Sequence, residues 1–392
     1  IAAVLGVAHV LEGSVRKARN TIRVTVQLIR VDNGYHVWSE TYDRKLDDVF
    51  KIQDDIARAV VNALKVSLVE GAVTKASTQP NTESHTLLLQ GNAIARRASG
   101  QADLETAADY YRKATQVDPS HAVAWASLST TLSSLVANGY PTSQAVSNET
   151  RAAAARALAI DPSLWQAHAA YQKIYDVLDW DFEAALKESR KRYELDPGAA
   201  SNPKDLATLL FRLRGDSEEV RDLYRKALDL DPASPALFDI MAYYYYWTGR
   251  FADAESAVRR AIDLRPGRGQ ELLGMVLLAR GEKKNALIEI QREPDEQSRL
   301  DGLAYVYHAM GREKEASAAL ADSERLYSAE SPFEMARLYA YRGELDKAFL
   351  WLDRAYARRD DGFRYLNRDS LFANLRGDPR YAALLQKLKL PP

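Results

Sequence analysis

Tyr243, Tyr244, Tyr245, Tyr246 and Trp247 form the densest run of recognition chemistry in this sequence. Each ring joins a large apolar surface to a polar tip, a combination that anchors protein partners in desolvated pockets. On a helix, Tyr245 belongs to an internal packing pattern while Tyr243, Tyr246 and Trp247 face away from it; the alternative is that they fill gaps between neighbouring helices. Catalytic chemistry has no comparable signature. The six histidines, at 9, 36, 85, 121, 168 and 308, include no pair three or four apart that would ligate a metal from one helix. Cysteine is absent, which removes disulfides, thiolate metal sites and cysteine nucleophiles together. The glycine-rich phosphate loops and the Gly-x-Ser-x-Gly nucleophile elbow are absent too. Adjacent carboxylates such as Asp54-Asp55 and Asp360-Asp361 would point apart on a helix and read as solvated surface. No catalytic residue, metal or cofactor is implied.

The element that carries the aromatic run recurs along the chain. Asp-Pro or Arg-Pro pairs end at Pro119, Pro162, Pro197, Pro232 and Pro266, at intervals of 34 to 43 residues. Proline lacks the amide proton and disfavours helix in the residue before it, so each pair stops one helix and lets the next start at a new angle. Between stops lie two helical stretches with small residues at fixed offsets. Residues 235–266 are clearest, with Phe238, Met241, Ala242 and Tyr245, a turn at Gly249, then Ala254, Val258 and Ala261. Small residues at crossings let helix axes approach, and bulky ones fill the space beside them. About eight such units span residues 83–358, one of them stretched by an insertion at 138–147 and one shortened to end at Pro294.

This pattern resembles that of tetratricopeptide proteins. The resemblance implies a mostly α fold, a right-handed superhelical solenoid whose concave wall is made of first helices, and a protein or peptide partner in that groove. On the same template Asn92, Arg96, Tyr305, His308, Arg337 and Tyr341 face inward with Tyr243, Tyr246 and Trp247. The Lys and Asn set with which some relatives grip a chaperone's terminal carboxylate is not reproduced. Armadillo-type arrays have longer repeats, and pentatricopeptide arrays need a basic RNA-binding groove that the charge balance here does not supply.

Ahead of the repeats the period changes to two. Ile22, Val24, Val26 and Leu28 alternate with Arg23, Thr25 and Gln27, with further strands over residues 7–15 and 35–42. Breaks at 18–20 and 32–34 place Asn and Gly where hairpin turns need positive φ. Val49, Ile52, Ile56, Val60, Leu64 and Leu68 then share one helix face that can cover this meander. Three strands and a helix give a thin core. The runs at 5–16, 27–29, 37–44 and 52–57 resemble the second half of the TolB amino-terminal-like domain. Proteins with that domain carry it between an effector, either a class III adenylate cyclase or a winged-helix domain, and a tetratricopeptide array. The resemblance implies a truncated module over residues 1–70 with upstream sequence missing before Ile1. Glu12, Trp38, Glu40 and Asp43 read as strand ties. Residues 71–82 have the composition of a linker, and 359–392 read as a tail whose amphipathic helix caps the last hairpin.

With 53 basic and 54 acidic side chains, the chain exerts no overall pull on nucleic acid or anionic lipid, which leaves a local basic stripe open. No apolar run approaches the ~20 residues of a membrane span, so neither nucleic-acid binding nor membrane insertion is expected. The favoured reading is an interaction scaffold, the carboxy-terminal arm of a bacterial regulator, with a cytoplasmic location preferred to a periplasmic one. The alternatives are an enzyme with a dispersed site between the amino-terminal module and the first repeats, and a self-association module, such as a homodimer.

Overall fold

The computed structural model describes residues 8–19, 21–31, 34–45, 49–64, 81–140 and 143–392. Residues 1–7, Asn20, the Asp32-Asn33 turn, Leu68 and all but the last two residues of the expected linker lie outside the described residues.

Strands β1 (His9–Ala18), β2 (Thr21–Arg30) and β3 (His36–Lys45) form an antiparallel sheet in that order. Ile22 and Tyr42 pack with Ile52 of helix α1 (Val49–Leu64), the small core that the alternation and the later helical period imply. Positive φ falls on Arg19 (52°) in the first turn and on Gly34 (68°) in the second. An arginine thus takes a conformation expected of asparagine or glycine. Arg23 and Asp43 stand opposite each other in register and form an exposed ion pair at 2.7 Å. That pair ties β2 to β3, whereas the Tyr42 hydroxyl donates to Glu40 of its own strand at 2.8 Å. β1 leaves Leu11 and Val15 48% and 65% exposed.

The rest of the described chain is helical. Helices α2 (Thr82–Arg97) and α3 (Gln101–Val117) form the first hairpin, α4 (Ala122–Ala137) and α5 (Gln144–Ile160) the second, and α6 (Trp165–Lys173) and α7 (Phe182–Leu195) the third. There follow α8 (Ser201–Arg214) with α9 (Glu218–Leu230), α10 (Pro235–Trp247) with α11 (Phe251–Leu264), and α12 (Gln270–Ala279) with α13 (Lys283–Gln291). Helices α14 (Glu296–Ala309) with α15 (Glu313–Tyr327) and α16 (Pro332–Tyr341) with α17 (Leu345–Arg358) complete eight hairpins among the described residues. None of these helices is long and apolar enough to cross a membrane.

The proline stops work as their chemistry requires. The residues before them, Asp118, Asp161, Asp196, Asp231 and Arg265, all leave the helix with φ between -136° and -146° and ψ between 80° and 97°. That is the extended region to which a following proline confines its neighbour. Three of these aspartates then accept a backbone N–H two residues on, from Ser120, Ser163 and Gly198, and so fix the turn into the next repeat.

Ala107, Ala114, Ala154, Ala157, Ala185, Ala227, Ala254, Ala286, Ala316, Ala348 and Ala355 are completely buried, which is what close helix approach needs. One tight approach is at Ile290, wedged between Gly274 of α12 and Gly302 of α14. A Cβ on Gly274 would lie 2.3 Å from Ile290 Cγ1 and 3.2 Å from the Ala286 carbonyl oxygen. Helix propensity alone makes Gly274→Ala stabilising by about 0.5–1 kcal/mol; overpacking makes it destabilising by about 1–3 kcal/mol. The clash is against a fully buried side chain, so we expect destabilisation. A urea midpoint that rises on this substitution would refute the packing account.

One hairpin departs from regular geometry. α6 continues into a π-helical turn over Ile174–Asp179, ending at Trp180 with φ 54°. Such widened turns insert an extra residue and re-aim side chains. After α17 the chain makes two short 3-10 turns, Asp361–Tyr365 and Ser370–Leu375, before a last helix, α18 (Pro379–Lys387).

Candidate functional site

First helices supply most of the inner wall of the solenoid. α2, α4, α6 and α8 line a cavity of about 560 Å³, and α8, α10 and α16 line another of about 320 Å³. The superhelix curls far enough that Ala95 and Tyr140 of the first two repeats line one cavity with Phe333 and Arg358 of the eighth.

Residues 361–375 run back into this groove. The Tyr365 ring stacks on Trp247 at 4.9 Å, and the Arg212 guanidinium lies 5.0 Å from its centre. Asn367 Nδ2 and Arg368 Nε both donate to the Arg212 carbonyl oxygen at 3.1 Å, satisfying an acceptor in the last turn of α8. Arg359 donates to the Leu178 carbonyl oxygen at 2.7 Å and covers the Trp180 ring, so the eighth repeat touches the π turn of the third. Phe363, Leu366, Phe372 and Leu375 are completely buried. Capping therefore accounts for only part of the tail. Arg380 of α18 does lie on α17, paired with Asp346 at 2.8 Å, but the segment before it occupies the concave face. Asp360 is not solvated surface either. Its carboxylate accepts the Gly362 and Phe333 amides, and burial pushes its pKa up to about 6.

The inward-facing residues of the template divide into three groups. Tyr243, Trp247 and Arg337 meet in the smaller cavity beside Tyr365. Tyr246 is 8% exposed and packs on Phe251. Tyr305 is 1% exposed, edge-on to Tyr341, which also meets His308, so its ring is enclosed by its own array. Asn92, half-buried, accepts from Tyr111 at 2.9 Å on the wall of the larger cavity, and Arg96 is exposed. Within the aromatic run it is Tyr244, not Tyr245, that the neighbouring repeat encloses: it packs on Phe211 and Tyr224, each at 5.1 Å, and donates to Asp216. Tyr245 is only half-buried, beneath Arg250.

Arg337 is the charge centre of the smaller cavity. Glu334 lies 2.6 Å from it and Asp369, from the tail, 2.8 Å. Glu271 and Asp301 lie close enough to feel both Arg337 and Glu334. Burial, then the Glu334 charge, pushes Glu271 up to about 8 and Asp301 up to about 7. Two carboxylates thus pair with the guanidinium directly and two more lie within its field. Trp247 Nε1 and the Tyr305 hydroxyl are among the buried donors that have no hydrogen-bond partner among the described residues.

Repeat length, proline stops, buried alanines and an inner wall of first helices define one architecture. It is similar to the crystal structure of the APC/C hetero-tetramer Cut9-Hcn1, with a TM-score of 0.51 and 15% identity, over 86% of this chain and 59% of that one. The fold is that of a tetratricopeptide array. A tetratricopeptide repeat protein from Parabacteroides merdae gives a TM-score of 0.46 at 13% identity, over 69% of this chain and 100% of that one. No family model matches the chain. In sequence, 127 residues are 39% identical to a Rhizobium meliloti (strain 1021) protein provisionally named adenylate cyclase 3. That match takes in 32% of this tetratricopeptide chain and 22% of the relative.

Proposed function

We propose that this chain is a protein-interaction scaffold whose concave face takes a peptide, and that residues 361–375 are its resident occupant. The observation that carries this is the stacking of Tyr365 on Trp247 at 4.9 Å with paired side-chain donors on the Arg212 carbonyl. An aromatic anchor in a pocket with polar fixing groups around it is how peptide ligands are held. The resemblance of the amino-terminal sheet to the TolB-like module and the partial likeness to the Rhizobium protein support a place as the regulatory arm of a bacterial multidomain regulator. In that reading a partner segment competes with the tail.

The test is a fluorescent peptide of residues 359–376 titrated into three proteins. The intact chain should bind it weakly, because its own copy is present at high effective concentration. A Tyr365→Ala chain should bind it at least about tenfold more tightly, and adding Trp247→Ala should remove that gain. Equal affinity of the intact and Tyr365→Ala chains would reject a displaceable occupant.

A further inference from the structure

The larger cavity is charged in a way the peptide reading does not use. Four cationic side chains, Lys173, Arg192, Lys204 and Arg364, line it together with two carboxylates, Asp176 and Asp205. Both carboxylates are already shared. Asp205 pairs with Arg192 at 2.7 Å and Lys204 at 3.0 Å, while Asp176 takes Arg364 at 3.3 Å and Arg212 from behind the wall. Lys173 is left with a neutral acceptor: its ammonium donates to Ser134 Oγ at 2.6 Å, and among the described residues no carboxylate lies within ion-pair distance. Desolvation, then the Arg364 charge, pushes Lys173 down to about 8. With Arg212 and with Asp361, which also pairs with Arg364, counted in, five cations face three carboxylates, so a chain of net charge -1 concentrates an excess of two positive charges on one concave wall. Buried charge without its counter-charge is costly, and a bound anion removes that cost.

The remaining lining fits an oxyanion. Ser127 and Thr130 also line the cavity, and their hydroxyls can add donors to those of the cations. The volume, about 560 Å³, is that of a metabolite site. Two surplus charges match a phosphate monoester at neutral pH, which presents three strong acceptor oxygens. We propose that the cavity between α2, α4, α6 and α8 binds a small phosphorylated molecule, with Lys173 as its primary contact and Lys204 and Arg364 beside it. Lys173 and Lys204 belong to the array, whereas Arg364 comes from the tail, so a partner that displaces the tail would remove one of the three contacts.

Inorganic phosphate, glucose 6-phosphate and succinate, titrated calorimetrically into the full chain at constant ionic strength, decide the matter. Saturable binding of glucose 6-phosphate or of inorganic phosphate is expected, the first showing that the cavity takes an organic phosphate and the second a free one. Lys173→Met, which removes a desolvated charge and should fold at least as well, is expected to weaken it at least about tenfold. Lys204→Gln, checked by circular dichroism, should weaken it less. The exposed Arg259→Ala on α11 should leave it unchanged. No saturable binding of either phosphate, tighter binding of succinate, or equal affinity in Lys173→Met would each overturn the assignment.

Discussion

Arg337→Met is expected to destabilise the protein by about 3–5 kcal/mol at pH 8, the range for breaking a buried ion pair from one side. The substituted side chain keeps most of the volume, so the loss reports charge. Arg337 stands between Glu334, Asp369, Glu271 and Asp301. Without it, four carboxylates converge from α12, α14, α16 and the tail with no guanidinium among them. The sign of the pH dependence follows from Glu271 at about 8 and Asp301 at about 7. Both are raised above their unfolded values, so the folded chain holds more protons than the unfolded one between about pH 4 and pH 8. Wild-type stability should therefore decline across that window as these groups ionise. The Arg337→Met penalty should be largest above pH 8, where Arg337 has most negative charge to offset, and should shrink toward pH 5. Urea unfolding of both proteins at pH 5 and pH 8 measures this. An equal penalty at the two pH values would mean that packing, not charge, is what Arg337 supplies.

The array was readable in the sequence because each of its signals is local. A proline acts on the residue before it, and an alanine marks a crossing wherever it recurs. The sheet was readable for the same reason, since alternation from Ile22 to Leu28 names the face that Ile52 covers. What escaped were contacts between distant residues. The return of residues 361–375 depends on Tyr365 finding Trp247 and Asn367 finding the Arg212 carbonyl, and nothing near position 365 encodes either partner. The 3-10 turns there are too short to develop helical periodicity, so Phe363, Leu366, Phe372 and Leu375 read as scattered apolar residues in a polar stretch. The charged cavity was missed for a different reason. Arg212 with Asp176, Phe211 with Trp247 and Arg112 with Glu149 each meet across 36 or 37 positions, about one repeat. In a solenoid, side chains one period apart are neighbours. Scanning for complementary pairs at that interval would have found Asp176 and Arg212, and next to them Lys173.

The second large effect concerns the closure of the groove itself. Phe363 is completely buried, with ring centroids of Phe333 at 5.2 Å, Trp180 at 5.8 Å and Tyr356 at 6.0 Å. It joins the eighth repeat to the turn between the two helices of the third at the point where the tail turns inward. Phe363→Ala removes a full aromatic side chain from a site walled by rings that cannot collapse onto the space, a loss of about 3–5 kcal/mol. The array itself is held by contacts between successive hairpins, so the damage should fall on tail docking before it reaches the helices. Hydrogen exchange should quicken over residues 361–375 while α10 to α15 stay protected, and limited proteolysis should nick the same stretch. Leu350→Ala, at a half-exposed position on α17, serves as the control with little change expected. If exchange instead rises evenly over all eight hairpins, tail and solenoid unfold as one unit, and the tail is a structural staple that no partner could displace without unfolding the array.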